Sequence, residues 1–170
     1  MINPEPPGKC EVLPVGLGEL RVVRNSPAVL VCYGLGSCVG VAAWDPVAGV
    51  GGMAHVVLPD SALGQHLETP AKFADTAVPR LLGEMLAAGA IRSRLLIKLS
   101  GGAQMLLRSD QADRPDIGQR NAEAVLRAVA AAGLRVAGQD LGGNHGRTMQ
   151  LHLPGGRVTV STIGRGEKEL

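Results

Sequence analysis

Apolar residues in this chain come in short runs separated by Gly, Pro and Asp, and their spacing switches between strand-like and helix-like. From Ala28 the run AVLVCY is continuous and β-favouring, a Gly-Leu-Gly turn interrupts it, and CVGVAAW resumes it before Asp45-Pro46 marks a turn. GGMAHVVLP then supplies a third strand that ends at Pro59-Asp60. The pattern predicts a meander of strands, with Cys38 at the start of one and His55 inside the next. Upstream, VGLGELRVVRN predicts a short strand stopping at the RNSP turn. Residues 61–72 are polar and turn-rich, so they read as a surface loop in which His66 is solvated.

The period then becomes helical. Phe73, Ala77, Leu81 and Met85, with Val78, Leu82 and Leu86 beside them, recur every three to four positions. Pro79 would cost about 3 kcal/mol in a helix interior, so this helix either begins near Thr76 or is kinked. RSRLLIKLSGGA reads as a buried strand running into a Gly-Gly turn. A second helix starts around Asp116, carries the stripe Ala122, Val125, Leu126 and Val129, and stops at Gly133. Strands close the chain: LRVAGQD, then RTMQLHL with His152 directed opposite to Leu151 and Leu153, the turn PGG, and RVTVSTI. Two helices amid seven or eight strands predict an α/β (α+β) protein, a layered sandwich of mixed or mostly antiparallel sheets flanked by helices. The expected organisation is a flexible tail over residues 1–12, a single domain over 13–165 and an exposed charged end over 166–170.

Composition narrows the function classes. With 170 residues and 45% hydrophobic content the chain can bury one substantial core, built from aliphatic residues because Phe73, Tyr33 and Trp44 are its only aromatics. A formal charge of +2, with no basic run interleaved with aromatics, argues against nucleic acid as a partner. The opening MINPEPPGKCEVLPVG lacks the basic and apolar segments of a signal peptide, and no run approaches a bilayer span; the expectation is a soluble cytoplasmic protein without membrane insertion. Three cysteines fit a reducing compartment, and their spacing, with four scattered histidines, gives no metal-site signature. Neither a metal nor a cofactor is expected. Ser100–Ala103 (SGGA) has the glycines of a phosphate loop but not its Gly-Lys-Ser/Thr, which argues against nucleotide binding.

The region 34–55 holds the parts of a cysteine hydrolase. A thiol nucleophile needs an imidazole to take its proton and backbone N–H groups to hold the developing oxyanion. Cys38 offers the thiol, His55 on the next strand the imidazole, and the amides around Gly36 and Ser37 the oxyanion donors. A packed cysteine and a core histidine would have the same spacing. Gly142–Arg147 (GGNHGR) could line a substrate groove through Asn144 or His145, although a tight turn between strands explains its glycines more simply.

The identity of the residues adds a resemblance. GLGSCVGVAAWDPVAGVGGMAHVVLPDS is similar to the signature of the CheD family, the chemoreceptor glutamine deamidases of bacterial and archaeal chemotaxis. VGLGELRVVRNSP, KFADTAVPRLL, KLSGGAQML, IGQRNAEAV and QDLGGNHGRT resemble further family segments in the same order. The resemblance implies a protein-glutamine glutaminase that converts glutamine side chains of methyl-accepting chemotaxis receptors to glutamate with release of ammonia. It also implies a fold similar to the cysteine hydrolase domain of deamidating toxins. The family cysteine falls on Cys38 and its histidine on His55. One position departs: where the family usually carries a threonine that completes a triad, this chain has Cys32, whose thiol is a weaker hydrogen-bond partner than a hydroxyl. Cys32 could do the same job less well, the Ser37 hydroxyl or a backbone carbonyl could take over, activity could be reduced, or Cys32 could simply be packed in its strand. The alternatives are an adaptor that binds a CheC-type phosphatase, with weak or no deamidase activity, and a cysteine peptidase or acyltransferase acting on another acyl group.

Overall fold

The computed structural model describes residues 10–64, 69–105 and 116–170; His66 lies outside the described residues. In chain order the elements are β1 (Glu11–Pro14), β2 (Leu20–Arg24), β3 (Ala28–Leu35), β4 (Val39–Asp45), β5 (Val50–Val56), α1 (Ala74–Ala87), β6 (Leu96–Gly101), α2 (Ile117–Ala131), β7 (Val136–Leu141), β8 (Arg147–His152), β9 (Arg157–Thr162) and β10 (Gly166–Glu169). The strands form two five-stranded sheets, ordered β1-β3-β8-β9-β10 and β2-β5-β4-β6-β7. Each sheet has one parallel pair, β1 with β3 and β6 with β7, and is otherwise antiparallel. This is the layered α+β sandwich that the apolar periodicity predicts.

Two cores explain the layers. On β4, Val39, Val41 and Ala43 face the helices, while Ala42 and Trp44 face the other sheet. On β5, Val50, Ala54 and Val56 pack under the helices and Met53 points between the sheets. A strand buried on both faces reads as continuous apolar sequence, which is why these segments showed no clean alternation. α1 lays Ala77, Val78, Leu81, Leu82 and Met85 on the central sheet. There Gly52 leaves room for Met85 and Leu81, whose atoms would stand 2.8 and 2.9 Å from an added Cβ. α2 is capped by Asp116, whose carboxylate accepts the Gln119 N–H at 2.8 Å, and gives way at Gly133, where φ is +70°.

Several expectations change. β3, β4 and β5 are not a meander, because β3 belongs to the outer sheet and β4 to the central one. Each of β3 and β4 is an inner strand with partners on both edges, so the chain crosses between sheets after Leu35 instead of closing a hairpin. The expected count of seven or eight strands rises to ten. β1 begins within the segment read as a tail, in parallel register with β3, and β10, whose residues are exposed, pairs with β9 at the charged end, where Leu170 is partly buried against the inter-sheet core. α1 starts at Ala74, so Pro79 lies beyond its first turn. Proline has no N–H to give the Asp75 carbonyl, and the Asp75 side chain instead anchors this end by accepting from the Ser61 N–H at 3.0 Å and hydroxyl at 2.6 Å.

Asp45, at the end of β4, joins three segments. Its buried carboxylate accepts from the N–H groups of Val47, Ala48 and Ile91 and from the Arg94 guanidinium, at 2.8 to 3.1 Å. Burial opposes ionisation, but Arg94 and the three N–H donors outweigh it and hold the carboxyl well below its usual range. A depressed folded-state pKa means that this stabilisation is complete above the ordinary carboxylate range and is lost as the pH falls toward the folded value. Asp45→Ala is expected to lower unfolding free energy by roughly 3 kcal/mol at neutral pH. Urea unfolding of both proteins should show that difference shrinking as the pH drops below the carboxylate range.

Candidate active site

The chain leaves β3 through a bulge at Tyr33–Gly34, where Gly34 has φ of +63°, and crosses to the other sheet through Gly36, Ser37 and Cys38. Three consecutive carbonyls of this crossing are tied down. Gly36 O accepts from Ala103 N–H at 2.8 Å, Ser37 O from Asn121 Nδ2 at 2.9 Å, and Cys38 O from Gly102 N–H at 2.8 Å. The Gly-Gly pair after β6 makes this approach possible. Gly101 has φ of +117°, and a Cβ there would run into the Cys38 carbonyl oxygen. Gly118 lets the first turn of α2 close over Ala103 for the same reason. The glycines of Ser100–Ala103 therefore serve close backbone packing.

His55 enters from β5. Its register partner on β4 is Gly40, two residues after Cys38, which makes Cys38 and His55 diagonal neighbours on one face of the β4–β5 pair, about 7–8 Å apart at Cα for such a relation. Cys38 is half-buried against the inter-sheet core, and His55 is 2% exposed. The His55 Nδ1 lies 3.1 Å from the Val15 carbonyl oxygen. A carbonyl can only accept, so Nδ1 carries the proton and Nε2 presents its lone pair. That Nε2 is buried with no hydrogen-bond partner among the described residues, Cys38 Sγ included.

Both groups rest uncharged. Burial pushes the His55 pKa down, against the opposing pull of the Val15 carbonyl and of Glu19. Burial pushes the Cys38 thiol up, opposed by its own backbone N–H. The arrangement places a protonated thiol and a neutral imidazole on one face of the β4–β5 pair.

The other sequence candidates fall unequally around this pair. Cys32 is fully buried on β3 opposite Met149, and its pKa is pushed up to about 12, first by burial and then by Cys38. Among the described residues it makes no hydrogen bond to His55, whose Nδ1 faces the Val15 carbonyl. Gly36 and Ser37 lie in the crossing itself, and the Ser37 hydroxyl makes no contact with His55 among the described hydrogen bonds. Gly142–Arg147 forms the link from β7 to β8, that is, from one sheet to the other. Gly142 and Gly143 take positive φ, as the turn reading expects. The loop also docks on the site's neighbour, since Gly142 N–H donates to Gly101 O at 2.9 Å and Gln104 N–H to Gly143 O at 2.8 Å. Asn144 is exposed on it. Arg147 fastens the loop by donating to Gly142 O at 2.7 Å and to Asp140 at 3.0 Å. His152 stands on the outer side of β8, with Nε2 3.2 Å from the Thr159 hydroxyl.

Sequence reasoning missed two parts of the site. Val15 acts through its backbone, which leaves no trace in residue type. Asn121 sits on the buried face of α2 beside Ala122 and Val125, fully buried, and also donates to Val57 O at 2.8 Å. A polar residue within an apolar helical stripe was the available signal. No group of three or more potential metal ligands occurs among the described residues, and no described helix is long and apolar enough to cross a membrane.

Comparison with known proteins adds the following. The family model for CheD chemotactic sensory transduction matches residues 57–162. The chain is 54% identical over 157 residues to a probable chemoreceptor glutamine deamidase CheD of Symbiobacterium thermophilum, covering 92% of this chain and 95% of the relative. It is 46% identical to a protein of the same name from Desulforamulus reducens, over 88% of this chain and 90% of the relative. It is 44% identical to the chemoreceptor glutamine deamidase CheD of Halalkalibacterium halodurans, over 94% and 99% respectively.

The pKa directions make a prediction about thiol reactivity. In a Cys10→Ser background, which removes the exposed third cysteine, iodoacetamide should label Cys38 and leave Cys32 untouched in the folded protein. The labelling rate should continue to climb as the pH passes above the ordinary thiol range, where the thiolate forms. Peptide mapping with a pH series checks both.

Proposed function

Because this chain belongs to the CheD family, we propose that it deamidates glutamine side chains of methyl-accepting chemotaxis receptors, with Cys38 as nucleophile and His55 as base and acid. The observation that carries the reading is the His55 ring, fixed by the Val15 carbonyl so that the Nε2 lone pair, without a partner among the described residues, lies on the Cys38 face of the β4–β5 pair. The named activity of the relatives, chemoreceptor glutamine deamidase, needs this acid–base function beside a thiol.

In the reaction, Nε2 takes the Cys38 thiol proton as sulfur bonds to the glutamine amide carbon, and the carbonyl π electrons move to oxygen. Backbone N–H groups near Gly36, Ser37 and Cys38 hold that oxyanion. On collapse the C–N bond breaks, and Nε2–H gives its proton to the departing amine, which leaves as ammonia. Nε2 then takes a proton from water as its oxygen attacks the thioester; sulfur leaves, recovers the proton, and glutamate remains. Placing a new carboxylate on a receptor helix changes local charge and creates a group that can be methylated. No cofactor enters these steps.

The receptor is met in the cytoplasm on this reading, and the catalytic unit spans residues 13–165 together with the strand that begins at Glu11. Exposed Tyr33 and Met105, the latter lying over Gly36, give the crossing an apolar rim on which a helical partner can rest. Asn144, on the neighbouring loop, is placed to contact the substrate amide. The same rim supports docking of a CheC-type phosphatase, a role that requires no thiol chemistry.

Cys38→Ala is expected to abolish ammonia release from receptor glutamines, and His55→Ala to reduce it by about 10² to 10⁴-fold. Intact-mass analysis of the receptor checks both, since deamidation exchanges NH2 for OH without cutting the chain. Full release by Cys38→Ala would overturn the reading. The acid limb of kcat/KM should lie below the ordinary histidine range, because the protonated ring cannot act as base and burial depresses its pKa. A pH–rate profile measures it.

A further inference from the structure

Asn121 is the polar residue of α2 that the thiol–imidazole reading leaves without a role. Its carboxamide is fully buried, both Nδ2 hydrogens are used, and Oδ1 has no partner among the described residues. The two acceptors are informative. One is the carbonyl of Ser37, immediately before Cys38, and the other is the carbonyl of Val57, two residues after His55. A single side chain from the helix layer thus joins the chain segments that carry the candidate nucleophile and base.

The peptide between Ser37 and Cys38 connects this clamp to chemistry. In a trans peptide the C=O and the following N–H point in opposite directions. With the Ser37 carbonyl held toward α2, the Cys38 N–H is directed away from it, toward the inter-sheet side where the Cys38 side chain packs. That N–H donates to no backbone carbonyl among the described residues. The flanking carbonyls of Gly36 and Cys38 are held by Ala103 and Gly102, so the Ser37–Cys38 peptide cannot rotate alone without breaking its bond to Asn121.

We propose that Asn121 is a positioning residue for the deamidation, fixing the Ser37–Cys38 peptide so that the Cys38 N–H is preorganised as an oxyanion donor. The inference rests on the Cys38–His55 reading and deepens it. Asn121 touches no reacting atom. It acts through the orientation of one backbone donor, whose benefit appears only when the carbonyl oxygen of the substrate becomes an oxyanion. The carboxamide is suited to the task because it supplies two N–H donors from one planar group, and neither serine nor alanine does.

The test compares the parent with Asn121→Ala, Asn121→Ser and Cys38→Ala on a receptor fragment and on a receptor peptide carrying an aldehyde in place of the glutamine amide. The aldehyde adds the Cys38 thiol reversibly and places its oxygen where the oxyanion forms. Asn121→Ala should lower kcat on the order of a hundredfold with KM little changed, and weaken the aldehyde by a similar factor. Iodoacetamide labelling of Cys38, which develops no oxyanion, should keep its rate. Asn121→Ser, which retains one donor, should lie between, and it carries the comparison if the alanine variant does not fold. Parent-like kcat in a folded Asn121 variant, or a lost kcat with parent-like aldehyde affinity, overturns the proposal. Ammonia release by Cys38→Ala would instead overturn the underlying reading, so the two failures are distinct.

Discussion

Three consecutive carbonyls, those of Gly36, Ser37 and Cys38, are each bound by a donor from elsewhere in the chain, and the site depends on this constraint. A crossing between two sheets has no hairpin ladder to satisfy its backbone, yet buried peptide groups need partners. The Gly101–Ala103 loop and Asn121 supply them. Their hydrogen bonds join β4, β6 and α2 at one end of the sandwich, and fix where Cys38 enters β4. Glycines at 101, 102 and 118 are required because each stands where a Cβ would press on a neighbouring chain segment. Backbone contact, not side-chain chemistry, thus shapes the surroundings of the thiol.

Burial then sets the electrostatics. The same inter-sheet core that holds Cys32 and packs Leu35 and Met149 over Gly40 removes water from His55, so the imidazole stays neutral and the thiol stays protonated. A neutral pair of this kind differs from a thiolate–imidazolium ion pair, in which burial would have two charges to desolvate. The ring's orientation comes from β1. Its parallel pairing with β3 continues as the Val15 N–H bond to Val31 O, and this leaves the Val15 carbonyl 3.1 Å from Nδ1. An early, largely exposed strand thereby leads into the carbonyl that determines which ring nitrogen carries the proton.

What the chain's residue order determined by itself was local and chemical. Helical and strand periods placed α1, α2 and the strands from β2 through β9, because burial on one or two faces writes itself into apolar spacing. The glycines before Cys38 and the histidine on the following strand marked the candidate pair, and Asp116 and Gly133 marked the ends of α2. Tertiary structure alone decided which strands pair. β3 and β4 are adjacent in sequence but lie in different sheets, since apolar runs buried on both faces carry no label for their neighbours. β1 and β10 were hidden for the opposite reason: their exposed edge positions are held mainly by backbone bonds, which any residue can make. The carbonyl of Val15 reaches His55, and the carbonyls of Ser37 and Val57 reach Asn121, across 40, 84 and 64 positions of chain. Contacts of that kind belong to the folded backbone and are decided only when the layers come together.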